Sequence, residues 1–208
     1  MCFSATASFA AGAALTAVGA ATMLRAKKSH QKPFAAIPLF FGIQQIAEGF
    51  VWLSLAPGGV VFNTIPIYLY FFFAHAWWPA YLPFAVLSLE TDAFRKRLIL
   101  LVQIAGLIVG AYYAYYLVTS AISARIFNSS IIYSYPWDTY SPYMVAAYIL
   151  AACGSCLLSS SRIIQIFGIL TLTFLIVAVM FFYAAFVSVW CFFAAILSLI
   201  VYLYVSRR

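Results

Sequence analysis

Charge is what this sequence has least of. Only 7% of its 208 residues are charged, and four are acidic, Glu48, Glu90, Asp92 and Asp138; an ordinary soluble domain carries about 25% charged residues. With 67% of its residues hydrophobic, a chain of this length cannot hide its apolar surface in one soluble core. A soluble domain is therefore excluded, and an all-α integral membrane protein is expected. No lysine falls inside an apolar run, which excludes a retinal Schiff base. No Gly-rich phosphate loop, G-x-S-x-G or H-E-x-x-H motif is present. The four cysteines, Cys2, Cys153, Cys156 and Cys191, are scattered and make no disulfide framework.

What the chain does have is apolar runs of bilayer-crossing length, about 20 residues each. Seven are read, over about 5–24, 34–55, 65–89, 98–120, 142–160, 163–183 and 185–205. The last two share one long run, divided by an expected turn near Ala184 to Ser188. Threading them alternately puts Arg25, Lys27, Lys28, Lys32, Arg95, Lys96, Arg97, Arg162, Arg207 and Arg208 on one side and Arg125 alone on the other. The positive-inside rule makes the first side cytoplasmic, with the N-terminus outside and the C-terminus inside. The same clustering accounts for the net charge of +7 and argues against nucleic-acid binding. The first run is followed by its basic residues, not preceded by them, so it reads as a span rather than a cleaved leader.

Inside this apolar chain, "FGIQQIAEGFVW" (41–52) demands an explanation. At 100° per residue Phe41, Gln44, Gln45, Glu48 and Trp52 fall within an arc of roughly 100°, leaving Ile43, Ile46, Phe50 and Leu53 mostly elsewhere. A carboxylate in the bilayer costs at least ~2.5 kcal/mol, so this stripe is expected to face protein or water. His75 in the third span lies at a similar depth, some 12–15 Å from the outer end at ~1.5 Å per residue. It precedes Pro79 and Pro83, which take donors away from the carbonyls of His75 and Pro79. Freed carbonyls are tolerated where they line a cavity or meet polar side chains. Gln44, Gln45, Glu48, Trp52, His75 and Trp78 are thus the expected ligand-binding residues, with Trp77 also beside them. The bland alternative is a set of interhelical hydrogen bonds that locks two helices together.

The remaining signals are weaker. His30 lies in the basic loop, far in depth from His75, so the two do not share a metal or haem. A metal site needs Glu48 and His75 with Cys191 or Cys2, and no ligand spacing argues for it. Neither a metal nor a cofactor is indicated. "CGSC" (153–156) sits among small residues and reads as close helix packing. "ETDAFRKR" (90–97) reads as a solvated turn with local ion pairs. "NSSIIYSYPWDTYSPY" (128–143) reads as an interfacial aromatic belt, the alternative being a vestibule that collects substrate.

"MCFSATASFAAG" together with "IPLFFGIQQIAEGFVWLSL" resembles a family of small bacterial multi-span proteins that begin MCFSA and carry a GIQQ-x-x-EG-x-x-W segment. The resemblance covers the first 90 residues or so, and the rest by length and hydropathy. It implies a bacterial inner-membrane protein and brings no activity with it. It also draws attention to Cys2, Phe3 and Ser4, either as a cap on the first helix or as a segment facing Glu48. The expected function is binding or transport of a small solute, ion or proton within a seven-helix bundle. The alternatives are an intramembrane enzyme using Glu48 or His75, and a non-catalytic sensor or assembly subunit.

Overall fold

A computed structural model describes residues 4–56, 64–127, 130–135 and 141–206. Cys2, Phe3, Asn128, Ser129, Trp137, Arg207 and Arg208 lie outside the described residues. Seven helices follow the seven apolar runs within a few residues. They are α1 (Ala5–Arg25), α2 (Ser29–Leu55), α3 (65–87), α4 (Ala93–Thr119), α5 (Pro142–Leu158), α6 (Arg162–Phe181) and α7 (Tyr183–Ser206). Five of them, α1, α2, α4, α6 and α7, are long and apolar enough to cross a membrane. α5 is shorter, and α3 is interrupted by a π-helical segment over Phe72–Trp77. The all-α expectation misses one element between α4 and α5, an antiparallel hairpin of β1 (Ser123–Phe127) and β2 (Ser130–Ser134) with Ser123 opposite Ser134.

α2 is the most enclosed of the long helices and α1 the least, with 72% against 28% of their apolar stretches buried. Ser4 caps α1, its Oγ accepting from the Ala7 N–H at 3.2 Å. α1 then lies against α2 almost backbone to backbone. A Cβ on Gly19 would stand 2.5 Å from the Leu39 nitrogen, and one on Gly42 would stand 2.8 Å from the Thr16 nitrogen. Small residues permit that approach where apolar burial alone does not drive helices together in lipid.

Around the prolines of α3, backbone carbonyls meet the neighbouring helices. The carbonyl of Pro79, deprived of its donor by Pro83, faces Gly106 of α4 so closely that a Cβ there would lie 2.0 Å from it. Gln103 Nε2 donates to the Ala80 carbonyl at 3.0 Å, and the Tyr148 hydroxyl of α5 donates to that of Ala74 at 2.6 Å. α3 is therefore fastened along its length to α4 and α5.

Two sequence expectations change at the helix ends. The division of the last long run lies at Phe182, with a 3-10 turn at Tyr183–Ala185, so Ser188 is inside α7 and not in a turn. Glu90 is no solvated ion-pair residue; it is 4% exposed. Its Oε1 accepts from the N–H groups of Thr91 and Asp92, both at 3.0 Å, and its Oε2 from that of Ser160 at 2.7 Å. Arg95 Nη1 crosses the other way, donating to the carbonyls of Leu158 and Ser159 at 2.9 and 3.1 Å. The α3–α4 and α5–α6 loops are thus riveted together. Burial works against ionisation of Glu90, but the hydrogen bonds from Ser160, Asp92 and Thr91 outweigh it and hold the carboxyl below its ordinary range. Cys153 and Cys156 are buried free thiols, and Cys156 packs on Gly168 of α6.

Candidate functional site

The polar stripe of α2 points into the bundle. Gln44, Gln45 and Glu48 have no exposed surface and Trp52 is buried, while Ile43, Phe50 and Leu53 turn outward. Gln44 Oε1 accepts from the Trp78 indole N–H at 2.6 Å, and the Trp78 ring stacks on Phe41 with centroids 3.9 Å apart. The hydroxyl of Ser188 on α7 donates to Glu48 Oε1. One turn further along α7, the Cys191 thiol lies beside Gln44 and Tyr70, with the Glu48 carboxyl close by. The stripe thus meets α3 through Trp78 and α7 through Ser188 and Cys191.

His75 is buried among aromatic rings. It stacks on Phe71 at 4.0 Å and meets Tyr113 and Tyr135 edge to face at 5.4 and 5.6 Å. A cavity of about 50 Å³ borders it, walled by Tyr113, Tyr148 and Trp190 among others. The hairpin closes over this region. Tyr133 stacks flat on Tyr70 at 4.7 Å, and Tyr135 packs edge-on against Phe71 at 5.3 Å. The Tyr68 hydroxyl donates to the Ser120 carbonyl and accepts from the Ile122 N–H, which pins the start of the hairpin to α3. Tyr133 and Tyr135 are half-buried and pack on α3 through these rings, while Trp137 of the expected interfacial belt lies outside the described residues.

A wide cleft of about 620 Å³ opens beside the hairpin, lined by Tyr133, Tyr135, Tyr183 and Phe186 among others. Val145, Ile149, Leu175 and Phe186 belong both to this cleft and to the His75 cavity. A narrower space of about 30 Å³, between Tyr133, Tyr135 and Ala184, ends on Ser188, the residue that holds Glu48.

Three residues of the stripe carry buried polar atoms with no hydrogen-bond partner among the described residues. They are Gln45, through both amide atoms, Gln44, through Nε2 alone, and Trp52, through its indole N–H, which sits in an apolar cluster with Val51, Ile67 and Ile131. Nearly all buried polar groups in proteins are paired, so an amide with neither atom satisfied is exceptional. Among the described residues, no three His, Cys, Asp or Glu side chains converge as metal ligands. Sequence reasoning placed the α2 and α3 members but missed Ser188, Tyr70, Tyr133 and Tyr135. A serine three residues before a cysteine on one helical face was the available signal for α7. The tyrosines gave none, being embedded in a chain with 15 of them.

A bundle with five helices able to cross a bilayer, enclosing glutamine and glutamate side chains, is the architecture of a helical membrane protein. The chain belongs to a family of unknown function, DUF6629, which it matches over residues 1–208. No curated protein and no solved structure matches it.

Proposed function

We propose that this is a seven-span protein of the bacterial inner membrane, N-terminus outside, that binds and moves a small polar solute or ion, with proton exchange at its centre. Glu48 and His75 are the protonatable groups, and Gln44 and Gln45 orient the ligand. The observation that carries this reading is Gln45, wholly buried with neither amide atom paired, one turn from a wholly buried carboxyl. A set of residues serving only to lock helices would be expected to spend its hydrogen bonds on one another. Here Gln44 and Glu48 are anchored to α3 and α7, while Gln45 keeps a donor and an acceptor for an occupant. The cleft beside the hairpin supports access from that end, because it shares the walls Tyr133, Tyr135, Ala184 and Phe186 with the narrower space that Ser188 lines.

The test is reconstitution into vesicles loaded with a pH-sensitive dye, followed by an imposed pH gradient. The wild-type protein is expected to dissipate the gradient faster than protein-free vesicles, and Glu48→Gln to return the rate to that baseline. An unchanged rate in Glu48→Gln, or a wild-type rate equal to that of empty vesicles, overturns proton exchange at this centre.

A further inference from the structure

A second site lies at the opposite, basic end of the bundle, away from Glu48. There α1 and the end of α7 lie side by side and border an apolar groove of about 510 Å³, lined by Ala17, Val18, Ala21, Leu199, Tyr202 and Leu203. Ala17 and Ala21 of α1 leave room that larger side chains there would fill. Its surface offers hydrocarbon contact and no hydrogen-bonding groups beyond the Tyr202 hydroxyl.

One turn beyond Ala21, the guanidinium of Arg25 stands 4.6 Å from the centre of the Tyr202 ring. It also donates from Nη1 to Ser206 Oγ at 2.9 Å. These two contacts use one of its five N–H donors and fix the plane of the group. Arg25 is exposed, as are Lys27 and Lys28 immediately after it. No carboxylate of the described residues pairs with Arg25, and the acids nearest in kind are committed elsewhere. Glu90 is held by backbone N–H groups, and Asp92 caps α4 through the Arg95 N–H. Arg25, oriented by these contacts and without a carboxylate partner among the described residues, thus heads a groove of hydrocarbon character, with the exposed Lys27 and Lys28 next in the chain.

We propose that this groove binds one anionic phospholipid, an acyl chain lying along Ala17, Ala21 and Leu203 and the phosphate meeting Arg25 and Lys28. The occupant is a lipid because the two halves of the site ask for different chemistries on one molecule. The groove takes only hydrocarbon, and the cluster takes only an anion. The spacing is that of a headgroup and the first part of its chain, since Arg25 follows Ala21 by one helical turn, ~6 Å. Basic clusters at the ends of membrane helices attract anionic headgroups at about 1 kcal/mol per residue, and a groove that also holds the chain turns this general attraction into a site.

Native mass spectrometry of the detergent-solubilised full chain tests it, with phosphatidylglycerol and phosphatidylcholine added in parallel and inorganic phosphate as the headgroup-only probe. Wild type is expected to retain one phosphatidylglycerol at least tenfold more strongly than phosphatidylcholine, and not to retain phosphate. Arg25→Gln should abolish that preference, and Ala21→Trp should expel the chain and lower retention of both lipids. Melting of each variant in lipid-free detergent checks that the fold is intact. Equal retention of the two lipids by wild type, or retention of phosphatidylglycerol unchanged in both variants, overturns the proposal. Displacement of the lipid by millimolar phosphate also overturns it, because the site would then be for a free anion.

Discussion

Gln44 and Gln45 are neighbours in the chain and opposites in their surroundings. Gln44 Oε1 is held by the Trp78 indole, whereas both amide atoms of Gln45 go unpaired among the described residues. Removing a partner from a buried acceptor costs about 1–3 kcal/mol, but removing an already unpaired polar group costs little or nothing. Trp78→Phe should therefore lower stability by about 1–3 kcal/mol, read as a fall in melting temperature in detergent. Gln45→Leu should leave the melting temperature unchanged or raise it while slowing gradient dissipation in vesicles. A loss of stability in Gln45→Leu comparable to that of Trp78→Phe would mark Gln45 as a structural lock. The stripe that carries these residues was legible in the sequence because helical periodicity is local. Ser188 was not, because its hydrogen bond to Glu48 spans 140 residues of chain and only the folded bundle brings the two together.

Helices and loops carry their own tests. At Gly106 a methyl group would collide with the backbone carbonyl of Pro79, whereas at Gly154 it would meet only the end of the Leu150 side chain, at 2.8 Å. Gly106→Ala should push α4 off α3 and cost ~1–3 kcal/mol or more, and Gly154→Ala should be nearly silent; thermal unfolding of the pair makes the comparison. For the loop rivet, the sign of the pH dependence follows from the lowered pKa of Glu90. Its ionised form is favoured in the folded state, so its contribution is fully present above the ordinary value of 4.5 and is lost as pH falls through the lower folded value. Glu90→Gln should melt below wild type at neutral pH, with the gap closing in acid. The helix boundaries were readable because a bilayer-spanning run has a length and an end. The hairpin was not, since its strands carry no more signal than the tyrosine-rich loop around them.

For the molecule as a whole, the orientation proposed from the basic loops is directly measurable. In intact cells a membrane-impermeant maleimide should label Ser134→Cys at once and Lys27→Cys only after permeabilisation; the reverse pattern would invert the topology. The two ends of the bundle are closed differently, by the Glu90 and Arg95 rivet on one and by stacked tyrosines of the hairpin on the other. Between them runs α3, whose Phe72–Trp77 segment winds more loosely than the α-helix on either side. In terms of descent, such a turn holds about one residue more than an α-turn, the difference that a single insertion makes. Losing one residue there would rewind the helix by ~100° and swing Trp78 away from Gln44. Among relatives, a one-residue gap at this point should therefore travel with replacement of Gln44, and chains that keep both residues should keep the extra one.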